Sequence, residues 1–147
     1  MEVQLTLINL IAEGAFVFQF FPSKVSSTDR ANWNPQETTI GVKPLFFANR
    51  DPRRIDFDEL WLDNTATNES LTPQIKRLRE MMQETERGTP PPLLAAWGDR
   101  NERCVLEELN ISEEFFNESG APIRVRVSLK LIQLQPESGT TSVRVLD

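Results

Sequence analysis

The chain has 147 residues, a formal net charge of −6, one cysteine and no histidine. This length favours a single domain with a sizeable core, and the acidic balance argues against a surface that binds nucleic acid. Without histidine the chain lacks the commonest general base and metal ligand, and Cys104 alone cannot form an internal disulfide. Because no run approaches the roughly 20 apolar residues of a membrane span, we expect a chain made in the cytoplasm with no membrane partner.

The N-terminal third predicts short strands separated by turns. Alternating apolar residues predict one strand over residues 3–12, and Glu13-Gly14 is a turn signal. A second strand is apolar on nearly both faces and carries Phe16, Phe18 and Phe20 at a period of two. We expect this strand to be covered on both faces and to end at Pro22.

Extended, mostly polar sequence follows. Residues 23–33 have Trp33 as their apolar anchor, and residues 34–37 predict a turn. Two further extended segments are predicted at 38–43 and 44–49, the second of which carries Phe46 and Phe47.

The next strand alternates, but its parity changes once. Its apolar positions are Ile55, Phe57, Leu60 and Leu62. A β-bulge near Asp58-Glu59 would place all four on one face. The alternative is that Trp61 continues the face of Phe57 and that the strand is buried on both sides.

One amphipathic helix is predicted from Pro73 to Arg87. Thr72 is the expected N-cap, and proline suits the first helical position because its missing N–H has no partner there. The apolar stripe consists of Ile75, Leu78 and Met82, with Met81 beside it. Gly88 is the expected C-terminal cap, and the three prolines that follow forbid continuation.

A short strand at 93–97 leads into a long hairpin over residues 105–134. In its second strand, Ile123, Val125, Val127, Leu129 and Leu131 point one way, and Arg124, Arg126, Ser128 and Lys130 the other. A three-residue loop with Gly120 in the left-handed region sets the register. The resulting pairs are Leu109 with Leu129, Ile111 with Val127, Glu114 with Arg124 and Glu108 with Lys130.

None of the chemically suggestive residue groups forms a recognisable site. The groups considered are the carboxylates Glu107, Glu108, Glu113 and Glu114, the oxygen donors Asp56, Asp58, Asp63 and Asn64, and the tryptophans Trp33, Trp61 and Trp97. Two of the glutamates have basic partners across the hairpin, the oxygen donors lack calcium-loop spacing, and tryptophans on three separate strands are more often core than a sugar platform. Cys104 has no histidine to activate it. We expect no catalytic residue, no cofactor and no metal.

Four stretches of sequence, in this order, carry a family resemblance. They are FVFQFFPSKVSSTDRANW, ANRDPRRIDFDELWLDN, LTPQIKRLREMM followed by PPLLAAWGD, and VLEELNISEEFFNESGAPIRVRVSLKLIQL. Together they resemble the tube-like N-terminal domain of contractile injection system and phage tail proteins. The subunits in question are tube initiators, or hub adaptors, which often carry a LysM domain after this one.

The resemblance implies a mainly β fold, a β-barrel or sandwich with one mid-chain helix, assembled side by side into a hexameric ring. That ring would lie between the spike hub protein and the first disc of the tail tube protein, at the baseplate of a virion tail or injection particle assembled in the bacterial cytoplasm. Baseplate wedge components are further implied partners, and DNA or cargo would pass through the lumen without specific binding. An ordinary tube or tube-terminator subunit is the alternative, and a carbohydrate-binding β-sandwich is a more remote one.

The expected domain spans residues 3–135, and residues 136–147 form an extension that leads toward a missing or separate module. The basic cluster Arg50, Arg53 and Arg54 is either a solvated loop or a loop that docks on an acidic patch of a neighbouring subunit. The charged face of the hairpin is either a lumen wall or subunit contact, or is paired within the chain. The candidate interface residues are therefore Arg50, Arg53, Arg54, Glu108, Glu114, Arg124, Arg126 and Lys130.

Overall fold

The computed structural model describes residues 4–12, 14–22, 24–35, 41 and 44–134. Within these ranges the chain forms nine strands and one helix. Their bounds are β1 Thr6–Asn9, β2 Ala15–Val17, β3 Val25–Thr28, β4 Ala31–Pro35, β5 Leu45–Arg50, β6 Arg54–Asp63, α1 Thr72–Glu80, β7 Leu93–Trp97, β8 Arg100–Phe116 and β9 Pro122–Gln133. This confirms a mainly β fold with a single mid-chain helix, and no helix among the described residues has the length and apolarity to cross a membrane.

Seven strands form one antiparallel sheet in the order β2-β1-β7-β8-β9-β6-β3, and β4 and β5 form a separate two-stranded ribbon. The sheet is open, because its outermost strands β2 and β3 do not pair with each other within the described residues. The described residues therefore do not form a closed barrel.

The large sheet curls around its buried face. Phe57 on β6 and Trp97 on β7 have ring centroids only 5.2 Å apart, although β8 and β9 lie between these strands. In a flat sheet, strands three places apart would be separated by about 14 Å. The curl brings apolar residues from both ends of the sheet into one core together with Leu71, Ile75 and Leu78 of the helix region.

Helix α1 is shorter than predicted, because it ends at Glu80 and not at Arg87. Beyond Met82 the sequence offers no apolar residue to pack on the core until after the prolines, so nothing holds another helical turn. Gly88 instead belongs to a separate turn, in which its N–H donates to the Thr85 carbonyl at 2.8 Å.

The predicted N-cap is also wrong by one position. Leu71 occupies the N-cap and makes no side-chain cap, whereas Thr72 is already helical. Leu71 is fully buried, and its N–H donates to the Pro122 carbonyl at 2.8 Å. Packing against the hairpin therefore fixes where the helix begins.

Strand β6 contains the predicted bulge. Its register to β9 shifts between Phe57 and Leu60, and Glu59 has a positive φ of 55°. As a result Ile55, Phe57, Leu60 and Leu62 are all buried. Trp61 lies on the opposite face, so the alternative in which it continues the face of Phe57 is wrong.

The hairpin β8–β9 has most of the predicted register. Leu109 lies opposite Leu129, Ile111 opposite Val127 and Glu108 opposite Lys130. Gly120 has a φ of 83°, and the Asn117 N–H donates to the Ala121 carbonyl at 2.9 Å, which closes the predicted loop. The pairing of Glu114 with Arg124 is wrong, because bulges at Glu107 and Glu114 shift the register and place Phe115 opposite Arg124.

Several N-terminal expectations are corrected. Strand β1 ends at Asn9 and not at residue 12. The side-chain oxygen of Asn9 accepts hydrogen bonds from the Ile11 and Ala12 N–H groups in a turn. Strand β2 is not covered on both faces, since Val17 is 49% exposed. Trp33 is 54% exposed and anchors no core. The predicted segment at 38–43, apart from Gly41, and the extension from residue 135 lie outside the described residues.

Candidate subunit interface

Strands β6, β9 and β8 present a charged surface on the side of the sheet that faces away from the core. Because alternate residues of β9 are buried, the remaining ones point outward between the neighbouring strands. Register places Asp56, Lys130 and Glu108 in one row across the three strands. The charged outer face comprises Arg54, Asp56, Trp61, Asp63, Glu107, Glu108, Glu114, Arg124, Arg126 and Lys130.

Basic residues of this face pair with acidic residues of the same chain. The distances between the charged groups are 3.4 Å for Arg54–Glu107, 3.6 Å for Arg126–Glu114, 3.9 Å for Lys130–Glu108 and 4.0 Å for Arg124–Asp63. All of these side chains remain at least partly exposed, so each pair contributes on the order of 0–1 kcal/mol to stability. The intrachain pairing predicted for Lys130 and Glu108 is confirmed, and the bulge at Glu114 directs that carboxylate to Arg126.

Trp61 is the aromatic centre of the charged outer face. The guanidinium carbon of Arg124 lies 4.6 Å from its ring centroid and that of Arg126 lies 5.9 Å from it. Arg124 also lies 5.4 Å from the Phe115 ring, and within the described residues its buried Nε has no hydrogen-bond partner. Stacking and ion pairing together hold the two arginines against the sheet.

Asp63 completes this arrangement at the end of β6. Hydrogen bonding by Thr65 is the main cause that lowers the pKa of Asp63, first through the Thr65 side chain and then through the Thr65 N–H, which donates to the Asp63 carboxylate at 2.8 Å. The positive charge of Arg124 acts in the same direction. Asp63 is therefore a negative group of this face at neutral pH.

The three arginines Arg50, Arg53 and Arg54 are divided, because Arg53 and Arg50 both lower the pKa of Asp29 whereas Arg54 lies on another surface. Arg54 belongs to the charged outer face, whereas Arg53 Nε donates to Asp29 at 2.7 Å and lowers the pKa of that carboxyl. Arg50 is the exposed last residue of β5. The basic loop is thus divided among the sheet, its edge and the ribbon.

Strand β8 has a long unpaired edge, which the sequence did not reveal. Strand β7 pairs only with Arg100–Cys104, while β8 continues to Phe116 along β9. Among the described residues, no strand pairs with the other edge of β8 from Val105 to Phe116. Such an edge presents free N–H and C=O groups to another chain, and the signal for it is the difference in length between β7 and β8.

The other chemically suggestive groups stay apart. Trp97 is buried, Trp61 lies on the opposite side of the sheet, and Trp33 is on the ribbon, so the three do not form a sugar platform. Cys104 is fully buried, and burial raises the pKa of its thiol to about 12, which disfavours the thiolate a nucleophile needs. Within the described ranges, no group of three or more acidic or cysteine side chains is placed to hold a metal.

The sequence comparison agrees with this architecture. A family described as contractile injection system tube protein matches residues 9–141, which include the whole charged outer face and the unpaired edge of β8. No curated protein matches the chain. Proteins of this family are structural components of a tail or injection particle and assemble into a tube with other subunits. The chain belongs to the contractile injection system tube protein family.

Proposed function

We propose that copies of the chain form a hexameric ring that joins the spike hub to the inner tube at the baseplate. The ring-building part corresponds to residues 3–135. The position at the hub rests on the four ordered sequence stretches that resemble tube-initiator domains, and the ring rests on the edge of β8.

The unpaired edge of β8 is the observation that carries the proposal. It is long, its strand is paired with β9 on the other side, and it is apolar on its inward side at Leu109 and Ile111. A second copy that adds a strand here continues the sheet and removes the exposed backbone groups from water. Where the added strand comes from a different edge of the second copy, the contact is head-to-tail, and head-to-tail contacts close into rings when the rotation allows.

In this ring the charged outer faces of neighbouring copies lie side by side, because each is continuous with the edge of β8. A surface whose arginines are already paired with carboxylates offers few free charges to a polyanion. We propose that this face meets the neighbour or lines the lumen, where it lets DNA or cargo pass without holding it.

Neighbouring proline variants on β8 test the edge directly. Of two successive residues in an antiparallel strand, one directs its N–H at β9 and the other at the free edge. We expect one of Ser112→Pro and Glu113→Pro to lower the melting temperature sharply, since it breaks the ladder to β9. The other should melt near the parent yet lose the ring, as seen by light scattering after size-exclusion chromatography and by negative-stain microscopy. A variant of this second kind that still forms rings, or a strictly monomeric parent, would overturn the proposal.

An ordinary tube subunit is the second candidate, and membership of a family of tube proteins favours it. The same chromatography and imaging separate the two functions. An initiator stops at a ring of about the width of a tail tube, whereas a tube subunit polymerises into long filaments. A terminator subunit would instead bind the end of a preformed tube.

A further inference from the structure

The β4–β5 ribbon exposes an apolar face that the described part of the chain does not cover. Trp33 lies opposite Phe47, and Pro35 opposite Leu45. Because alternate residues share a side of a ribbon, these four form one face. All four are exposed, and the Trp33 and Phe47 rings contact each other edge-on at 5.4 Å between centroids.

The opposite side of the ribbon is different. There Phe46 lies across from Asn34, and no second large apolar residue accompanies it within the described ribbon. An isolated two-stranded ribbon is at best marginally stable in water. The face of Trp33 and Phe47 is therefore the side on which a packing partner would stabilise it.

A second apolar surface lies at the other end of the large sheet. On the side away from the core, β2, β1 and β7 form two rows, Val17-Thr6-Ala96 and Ala15-Ile8-Leu94. We call these six residues the apolar outer face. None carries a charge, and Val17 is 49% exposed.

We propose that the apolar face of the β4–β5 ribbon of one copy docks on the apolar outer face of a second copy. Burying the ribbon there removes apolar surface from both partners and covers no charged residue of the patch, which Arg103 borders from its position opposite Leu94. The charged outer face would instead have to give up the hydration of its arginines and carboxylates. This proposal concerns a contact separate from the β8 edge and does not depend on the ring standing at the hub.

The position of the two surfaces makes the contact one between copies. The ribbon is inserted between β3 and β6, at the edge of the sheet that lies farthest in strand order from β2. In the single chain Phe47 remains 53% exposed and Val17 remains 49% exposed, so neither covers the other. A contact between two different surfaces repeats from copy to copy, as a tube requires.

The size of the ribbon face sets how strong this contact is. A large aromatic buries about 150–250 Å² when covered, so the half-exposed Trp33 and Phe47, together with Leu45, offer on the order of 300 Å². A standard stable interface buries about 800 Å² per partner. The docking contact is therefore weak in an isolated pair and acts together with other contacts in an assembly.

Cross-linking between two cysteine variants tests the contact. One preparation carries Phe47→Cys and the other Val17→Cys, and Cys104 does not compete because it is fully buried. With a short bismaleimide, we expect a covalent dimer in the mixture and little in either preparation alone. Lys76→Cys, at an exposed position of α1, replaces Val17→Cys as the negative control. Covalent dimers in the Phe47→Cys preparation alone would show ribbon-to-ribbon packing and would overturn the proposal. A mixture without covalent dimers would overturn it as well.

A matched pair of ribbon variants provides the second measurement. Phe47→Ser should raise the concentration at half-assembly at least tenfold, whereas Phe46→Ser, which is equally exposed but on the other side, should change it by less than twofold. Equal effects would contradict the proposal. If the parent forms rings but the mixture gives no cross-linked dimer, the ribbon contact is refuted and the proposed ring stands. If the mixture gives cross-linked dimers but no rings form, the proposed ring is refuted and the ribbon contact stands.

Discussion

The charged and apolar outer faces belong to the same antiparallel sheet, yet their outward side chains differ in how far other side chains of the chain cover them. On β6, β9 and β8, Trp61 is covered by Arg124 and Arg126, and the arginines are paired with Asp63 and Glu114. On β2, β1 and β7 the outward residues are small or apolar and have no such cover. The charged groups of the first face have partners within the single chain, whereas the second face is the one that we propose a second copy covers.

The difference teaches which surface of this chain depends on assembly. Paired surface charges contribute little to stability but keep a face hydrated and discriminate between partners. An uncharged apolar face provides neither hydration nor discrimination between partners, and covering it lowers the free energy of the assembly.

The largest effect is expected in the core beneath both faces. Leu7 lies under the apolar outer face and Leu129 under the charged one, and both are fully buried. Each truncation to alanine should lower the free energy of unfolding by about 2–5 kcal/mol. In urea, both variants should show one transition with an earlier midpoint and an unchanged slope. Two separate transitions would show that the halves of the sheet fold independently and would break the comparison.

How far the sequence predicts this molecule depends on what determines each feature. The bulge of β6 was predicted because it changes the parity of buried residues, which the sequence displays. The bulges of β8 were not predicted. Across Glu107 the core residues change parity from Cys104 and Leu106 to Leu109 and Ile111, but Val105 shares the parity of the latter two and hides the change. At Glu114 the neighbouring Glu113 and the pair Phe115-Phe116 leave no change of parity to read. The Glu114 partner was therefore misassigned.

The ribbon and the end of the helix were missed for a related reason. Trp33 was placed in the core because it is aromatic, but burial depends on neighbours that are distant in sequence. Gly88 and the prolines mark a stop, yet the helix ends earlier, where its apolar stripe ends. The β8 edge depends on the unequal lengths of two paired strands, and local periodicity contains no information about that inequality.

An intermediate effect is expected from reversing charges on the charged outer face. Arg124→Glu and Arg126→Glu together remove two ion pairs and the stacking on Trp61. Because these contacts are exposed, the fold should lose only about 1–2 kcal/mol, whereas assembly should weaken much more if this face meets a neighbour. Thermal melts and sedimentation on the same samples compare the two losses. Equal losses in fold and assembly would mean that the face serves only its own chain.

The smallest effect distinguishes the two faces by pH. The pKa of Asp63 is lowered in the folded chain, chiefly by Thr65 and further by Arg124. The resulting stability is present above the ordinary carboxyl pKa of about 4 and is lost as pH falls through the lower folded value.

Denaturation at several pH values should therefore show Asp63→Asn less stable than the parent near pH 6, by less than about 1 kcal/mol because the group is partly exposed. The deficit should shrink as the pH drops below about 4. Ile8→Val on the apolar outer face is the control, because its cross-strand neighbours Ala15 and Leu94 do not titrate. Its deficit should be the same at every pH. If the stability deficit of Asp63→Asn is the same at every pH, lost packing or hydrogen bonding explains it and not the negative charge of Asp63. The stability of the charged outer face would then depend on packing and not on its charges.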